Sequence, residues 1–234
     1  MSGLVGRIRS FWKLEWIGED DLYAQAFSEI TPTLFLGRRP TPEHVDELQR
    51  RGVTQVISCL EERKRSDVEF LDRAFDQLFL PANDQIDQDL RHTLGQFFAH
   101  IDTASATKES KLLVHCEVGV SRSASLVIAL LMRDERLTFL DAFERVRSKR
   151  VQVLPNLAFA SQLQRYEHEL ELSSPEAAPS SLAIYLHQYC SAPSPIDELD
   201  EVVRRHDFDA PAALRSIYGG EIPRVVQGAR SAGR

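Results

Sequence analysis

The chain has 234 residues, 43% of them hydrophobic and 27% charged, which is enough apolar material for one well-buried core with length left over for appendages. A net charge of −7 argues against a surface built to hold nucleic acid; with no apolar run of about 18 residues and no charged-then-apolar leader, neither a membrane span nor secretion is expected. Three cysteines, Cys59, Cys116 and Cys190, are too few and too scattered for a disulfide framework or a zinc site, so a reducing compartment, the cytoplasm or the nucleus, is expected.

Residues 1–27 read as an amphipathic leader. Between positions 3 and 17, Leu4, Val5, Ile8, Phe11, Trp12 and Trp16 recur at helical spacing, with Arg7, Arg9 and Lys13 on the other side. Two readings stand: a peripheral helix lying on a membrane or a partner, and a helix docked on its own domain or a disordered leader.

From Ile30 to Gly37 the chain reads as a strand ending in a glycine turn. Thr41 then offers an N-cap, with Pro42 at the first helical position, for a helix carrying Val45 and Leu48. Gly52 ends it, and the β-branched run 53–59 is of the kind buried in a parallel sheet. Residues 75–81 form a further strand that delivers a loop with three acids, Asp84, Asp87 and Asp89. Asp89 fits the N-cap of the next helix, over 91–103, with Leu94, Phe97, Phe98 and Ile101 on one face. Asp84 and Asp87 are thereby left for chemistry.

Lys111 to Val114 reads as a short buried strand, and from Ser121 an apolar helix carries Leu126, Ile128, Leu130 and Leu131. The intervening loop, Glu117, Val118, Gly119, Val120, Ser121 and Arg122, is a tight strand-to-helix turn whose N–H groups and helix dipole make an anion site suited to phosphate. A cysteine at its start, Cys116, has its thiolate stabilised by the same donors and by the Arg122 guanidinium, which makes it a nucleophile. Arg122 adds a planar fork for two phosphoryl oxygens, Ser123 is placed to donate a hydroxyl hydrogen bond to the sulfur, and Gly119 lets the backbone come close to the phosphate.

His115-Cys116, five residues, then Arg122-Ser123 resembles the signature of the cysteine-based protein tyrosine phosphatase superfamily, and residues 119–123 resemble its dual-specificity branch. Val118 departs from the alanine common in that branch, which bears on loop packing rather than on the chemistry. The strand-helix-strand opening over 30–59 is similar to the start of such domains. The resemblance also places a general acid just after the strand at 75–81 and a few residues before an acid-leucine pair, which singles out Asp84, with Asp87 the runner-up. His115 is then a support that holds the loop rather than a metal ligand, and the mechanism needs no cofactor and no metal.

Residues 138–148 form an amphipathic helix with Phe139, Leu140, Phe143 and Val146, followed by a basic cluster, Arg145, Arg147, Lys149 and Arg150, that reads as a solvated face or as steering for anionic substrates. Asn156 caps a helix running to Leu170. Pro155-Asn156-Leu157-Ala158-Phe159 resembles the family element that closes the core and supports the phosphate loop. The expected architecture is α/β: a central, mostly parallel twisted sheet flanked by helices, with the site at the carboxyl end of the strands and a short helical C-terminal extension.

The catalytic domain is thus expected over 28–172. A Pro/Ser-rich linker with one short helix follows over 173–195, then a small helical tail over 196–234 with brief helices expected at 196–205, 211–217 and 222–226; two readings of it stand, a loosely packed tail and a module that resembles the ubiquitin-associated type and would take a protein partner. The expected activity is hydrolysis of phosphotyrosine and phosphoserine/phosphothreonine in a phosphoprotein through a phosphocysteine. Two other classes compete with it. A phosphate-binding scaffold would lack the cysteine, the arginine or the acid, and a lipid or RNA phosphatase would favour lysines inside the loop.

Overall fold

The computed structural model describes residues 25–85, 88–104, 110–173, 179–190 and 192–222. The expected leader helix at 3–17, Asp87, and all but the first residue of a helix expected at 222–226 lie outside them. Of the expected leader, Phe27 instead opens the first strand and is buried.

What reads as one strand from Ile30 is a hairpin: β1 (Phe27–Thr31) and β2 (Leu34–Gly37) pair antiparallel, turning at Pro32-Thr33. Proline has no N–H to give to a ladder, so the run breaks there. β3 (Val53–Leu60), β4 (Asp76–Pro81) and β5 (Lys111–His115) complete a five-stranded sheet in the order β1-β2-β5-β3-β4, in which every pairing except β1 with β2 is parallel. The expected mostly parallel sheet is therefore present, and β5 lies at its centre.

Side chains alternate across this sheet, as the two-residue period of a strand requires. On β2 and β5, Leu34, Leu36, Leu112 and Val114 face one hydrophobic cluster, while Phe35 and Leu113 face the other. The smaller face is covered by α1 (Val45–Arg50), entered through a 3₁₀ turn at Pro42–His44, and by a long 3₁₀ stretch, Glu62–Arg73, which buries Val68 and Leu71. Covering the larger face are α2 (Leu90–Ala104), α3 (Arg122–Glu135), α4 (Phe139–Lys149) and α5 (Leu157–Glu169). Every residue of α3 from Arg122 to Met132 is buried, because this helix is enclosed by the sheet and its neighbours; that explains its apolar character on all sides.

Beyond residue 172, α6 (Ser181–Tyr189), α7 (Ile196–Arg205) and α8 (Ala210–Tyr218) do not form the loosely packed tail that the composition suggests. Leu182, Tyr185, Leu186, Leu199, Val203 and Leu214 are fully buried and belong to the same cluster as the core of α3. The connection is tied down as well: buried Glu167 of α5 accepts hydrogen bonds from the Ser173 (2.5 Å) and Ser181 (2.8 Å) hydroxyls. No helix among the described residues is long and apolar enough to cross a membrane.

Candidate active site

β5 ends at His115 in the middle of the sheet, and the chain turns through Cys116–Ser121 into α3, whose N-cap is Ser121. The parallel register sets Ser58 of β3 opposite His115. Gln77 Nε2 donates to Ser58 Oγ at 2.8 Å, the Ser58 hydroxyl meets His115 Nε2 at 2.7 Å, and His115 Nδ1 donates to the Cys116 carbonyl at 3.3 Å. The imidazole is fully buried, and burial pushes it down to about 4, so it is neutral and holds the loop rather than acting as a base.

That shift has a thermodynamic consequence. The folded protein keeps this ring neutral down to about pH 4, whereas an unfolded histidine takes up its proton near 6.5. The unfolded state therefore binds more protons between those values, so stability is complete above about pH 6.5 and falls by roughly 3 kcal/mol as pH drops toward 4. Urea unfolding across this window is expected to show that loss. His115→Asn is expected to be less stable at pH 7 and to have a flatter pH profile.

Within the loop, the Gly119 amide donates to Cys116 Sγ at 3.2 Å. Its orientation is enforced from behind by Arg150, which is 2% exposed and reaches Gly119 O through Nε (2.9 Å) and Val118 O through Nη2 (2.9 Å). In a planar trans peptide, the carbonyl and the following N–H point in opposite directions, so pinning these two carbonyls outward turns the amides of Gly119 and Val120 inward. Arg150 Nη1 also donates to Gln25 O and meets Ser28 Oγ. Burial lowers this guanidinium to about 10, which leaves it cationic at neutral pH beneath the anion site. Gly119 itself has φ +75°, and a Cβ there would stand 2.4 Å from Gly37 O, so no other residue fits.

The basic cluster is thus not one solvated face. Arg145 pairs with Glu135, and Arg147 is drawn over the Phe143 and Tyr189 rings and onto Val153 O, while Arg150 is a structural clamp. Its position could have been read, since Phe139, Phe143, Val146 and Arg150 follow the i, i+4, i+7, i+11 spacing of one buried helix face. Arg150→Met is expected to lower the melting temperature by several degrees and kcat/KM on an aryl phosphate by roughly 10²-fold, about the worth of one oriented oxyanion donor. Thermal unfolding and steady-state kinetics check it.

Arg122 is buried, its Nη1 donating to Ala82 O at 3.2 Å, and its Nε has no hydrogen-bond partner in the protein. Ser123 Oγ is likewise buried and unpartnered. The hydrogen bond expected from Ser123 to the sulfur is not made; the sulfur accepts from the Gly119 amide. Buried donors left without partners are uncommon in folded proteins, and two of them beside one cysteine point to a group that arrives from outside.

Asp84 is brought over the same loop. Its Oδ1 accepts from Ser121 Oγ (2.7 Å) and from Asn156 Nδ2 (2.8 Å), and its Oδ2 stands 3.9 Å from Arg122 Nε. Asn156 also caps α5, its Oδ1 accepting from Phe159 N at 2.9 Å. Asp89 caps α2 by accepting from Arg91 N, as expected.

At the edge of the loop, Glu117 pairs with Lys64 (2.8 Å) and Arg39 (3.3 Å), and Arg39 also pairs with Asp67 (2.5 Å). Neither cation was legible as a loop neighbour, since they come from the β2–α1 connection and the 3₁₀ stretch. Cys59, one residue past Ser58 on β3, is buried and free; burial and then the Cys116 sulfur push its thiol above the usual range.

Residues 34–169 match the dual specificity phosphatase catalytic domain. The chain is 36% identical over 145 residues to the MAP kinase phosphatase with leucine-rich repeats protein 3 of Dictyostelium discoideum, spanning 61% of this chain and 16% of that protein. It is 33% identical over 170 residues to the protein phosphatase Slingshot homolog of Xenopus laevis, spanning 71% and 23%. The chain therefore spans less than a quarter of either relative. Among solved structures, the human tyrosine phosphatase-like serine/threonine/tyrosine-interacting protein superposes with a TM-score of 0.58 at 30% identity, covering 61% of this chain and 96% of that one. Human DUSP28 does so with 0.55 at 31%, covering 63% and 96%. With the matched segment spanning more than half of the chain and holding the whole loop from Cys116 to Ser123, this chain belongs to the dual specificity phosphatase family.

Proposed function

We propose that the chain is a protein phosphatase acting on phosphotyrosine and on phosphoserine or phosphothreonine through a phosphocysteine intermediate. The observation that carries this reading is the loop itself, in which Cys116 Sγ, an inward amide, the unpartnered Arg122 Nε and the Asp84 carboxylate converge on one spot. The Cys116 thiolate attacks phosphorus in line, and an S–P bond forms as the P–O ester bond breaks. Arg122 and the loop amides hold the equatorial oxygens.

With Asp84 Oδ1 fixed by two donors, Oδ2 is the atom that carries the proton to the leaving phenol or alcohol. In the second half, Asp84 takes a proton from water, the oxygen attacks phosphorus, and the S–P bond breaks with Ser123 Oγ free to stabilise the departing thiolate. Neither half calls for a metal or an organic cofactor.

Phosphoprotein substrates are favoured over polyanionic lipid or RNA. Two cations at the loop edge, Arg39 and Lys64, are matched by Glu117 and Asp67 rather than left to collect several phosphates. Asp84→Ala is expected to lower kcat by roughly 10²–10⁴, most severely for poor leaving groups. If Asp87→Ala does this and Asp84→Ala does not, the acid is Asp87.

A further inference from the structure

The helices α6–α8 lie beyond the matched residues 34–169, yet they reach the segment that holds the acid. We infer that they form an intramolecular brace, and that the Tyr185 hydroxyl is a positioning residue for Asp84. This rests on the reading of Asp84 as the general acid.

Tyr185 is fully buried, its ring set between Phe139, Phe143 and Tyr189, and its hydroxyl donates to Pro155 O at 2.6 Å. Pro155 belongs to the turn Leu154-Pro155-Asn156, which touches the site at three places. Leu154 N donates to Val120 O (3.0 Å), Asn156 N donates to Ser121 Oγ (3.1 Å), and Asn156 Nδ2 donates to Asp84 Oδ1 (2.8 Å). The Pro155 carbonyl precedes the N-cap, so the ladder of α5 does not use it; buried, it needs a partner, and α6 supplies one. Without that hydroxyl, the Pro155-Asn156 peptide can rotate, and Asn156 tilts with it.

The brace grips α5 further along. Leu182 N donates to Gln164 Oε1 (2.7 Å), and Ala210 N donates to Ser161 Oγ (2.8 Å). Between these lies Gln162, which accepts from Leu90 N (2.6 Å) and donates to Gln88 O (2.9 Å), fixing the far end of the acid loop. One helix thus carries both anchors of that loop, and the extension holds the helix. Burial raises the Tyr185 phenol well above its usual range, so it remains a donor at any working pH.

The test is kcat/KM across a series of aryl phosphates of increasing leaving-group pKa, because proton donation matters most when the leaving oxygen is basic. Tyr185→Phe keeps the ring and removes only the hydroxyl. It is expected to lower kcat/KM about tenfold on phenyl phosphate and by less than about twofold on a dinitrophenyl phosphate, a fraction of the roughly 10²–10⁴ that the acid supplies. In an Asp84→Asn background, Tyr185→Phe is expected to add nothing. Tyr189→Phe is the control: its hydroxyl donates to Glu144, away from the turn, and the slope should stay that of the wild type.

An unchanged slope in Tyr185→Phe, or an equal loss on every leaving group, overturns the inference. If Asp84→Asn itself leaves the slope unchanged, the acid assignment fails and the inference with it. Should Tyr185→Phe not fold, Asn156→Ser reads the path from its other end. Serine still caps α5 but is too short to reach Asp84, so the slope is expected to steepen, and an unchanged slope overturns the inference.

Discussion

Cys116→Ser is expected to reduce turnover of an aryl phosphate to background while leaving the thermal unfolding temperature within a few degrees of wild type. The hydroxyl is nearly isosteric with the thiol but is not ionised near neutral pH, so the nucleophile is lost while the loop that presents it is not. That loop does not depend on the sulfur for its shape: Arg150 pins Val118 O and Gly119 O, Leu154 N holds Val120 O, and His115 holds Cys116 O. The variant should therefore still bind inorganic phosphate, measurable by calorimetry. Residual turnover comparable to wild type would remove Cys116 from the chemistry.

Arg122→Lys is expected to lower kcat/KM by at least roughly 10²–10³, the usual cost of losing one oriented oxyanion donor. Charge is conserved in this substitution, so the effect isolates geometry. Nη1 is already committed to Ala82 O, leaving Nε and Nη2 as a parallel pair for two phosphoryl oxygens, and a lysine offers no such fork. In the Cys116→Ser background the same change should weaken phosphate binding. A loss of rate without weaker binding would mean that Arg122 acts on the transition state alone; no loss of either would refute its role.

The local parts of the site were legible because they are contiguous. A buried strand, seven loop residues and a helix start leave a readable pattern in 111–131, and the cap at Asn156 announces itself by residue type. What was hidden depends on register. Nothing local in Ser58 or Gln77 shows the register that sets Ser58 of β3 opposite His115 of β5 and brings Gln77 of β4 within reach of Ser58, so the chain of donors to His115 emerges only from the sheet. Arg150 is obscured because its charge suggests a solvated position, although its helical phase is that of the buried stripe. The helices of the extension are present as expected, but their packing on the core is hidden, because α6 and α8 have 9 residues each, too few turns for periodicity to declare a packed face, and the Pro/Ser-rich stretch before them reads as a free linker.

The proposed mechanism turns on a covalent S–P bond, which can be sought directly. Wild-type protein and Asp84→Ala should be mixed with an activated aryl phosphate, quenched in acid within milliseconds to seconds, and mapped by peptide mass spectrometry. A phosphoryl group is expected on the peptide containing Cys116, formed at the rate of aryl alcohol release and persisting longer in Asp84→Ala, where water is not activated. Undiminished turnover with no phosphorylated Cys116 at any quench time, or with the phosphoryl group on another residue, would contradict it.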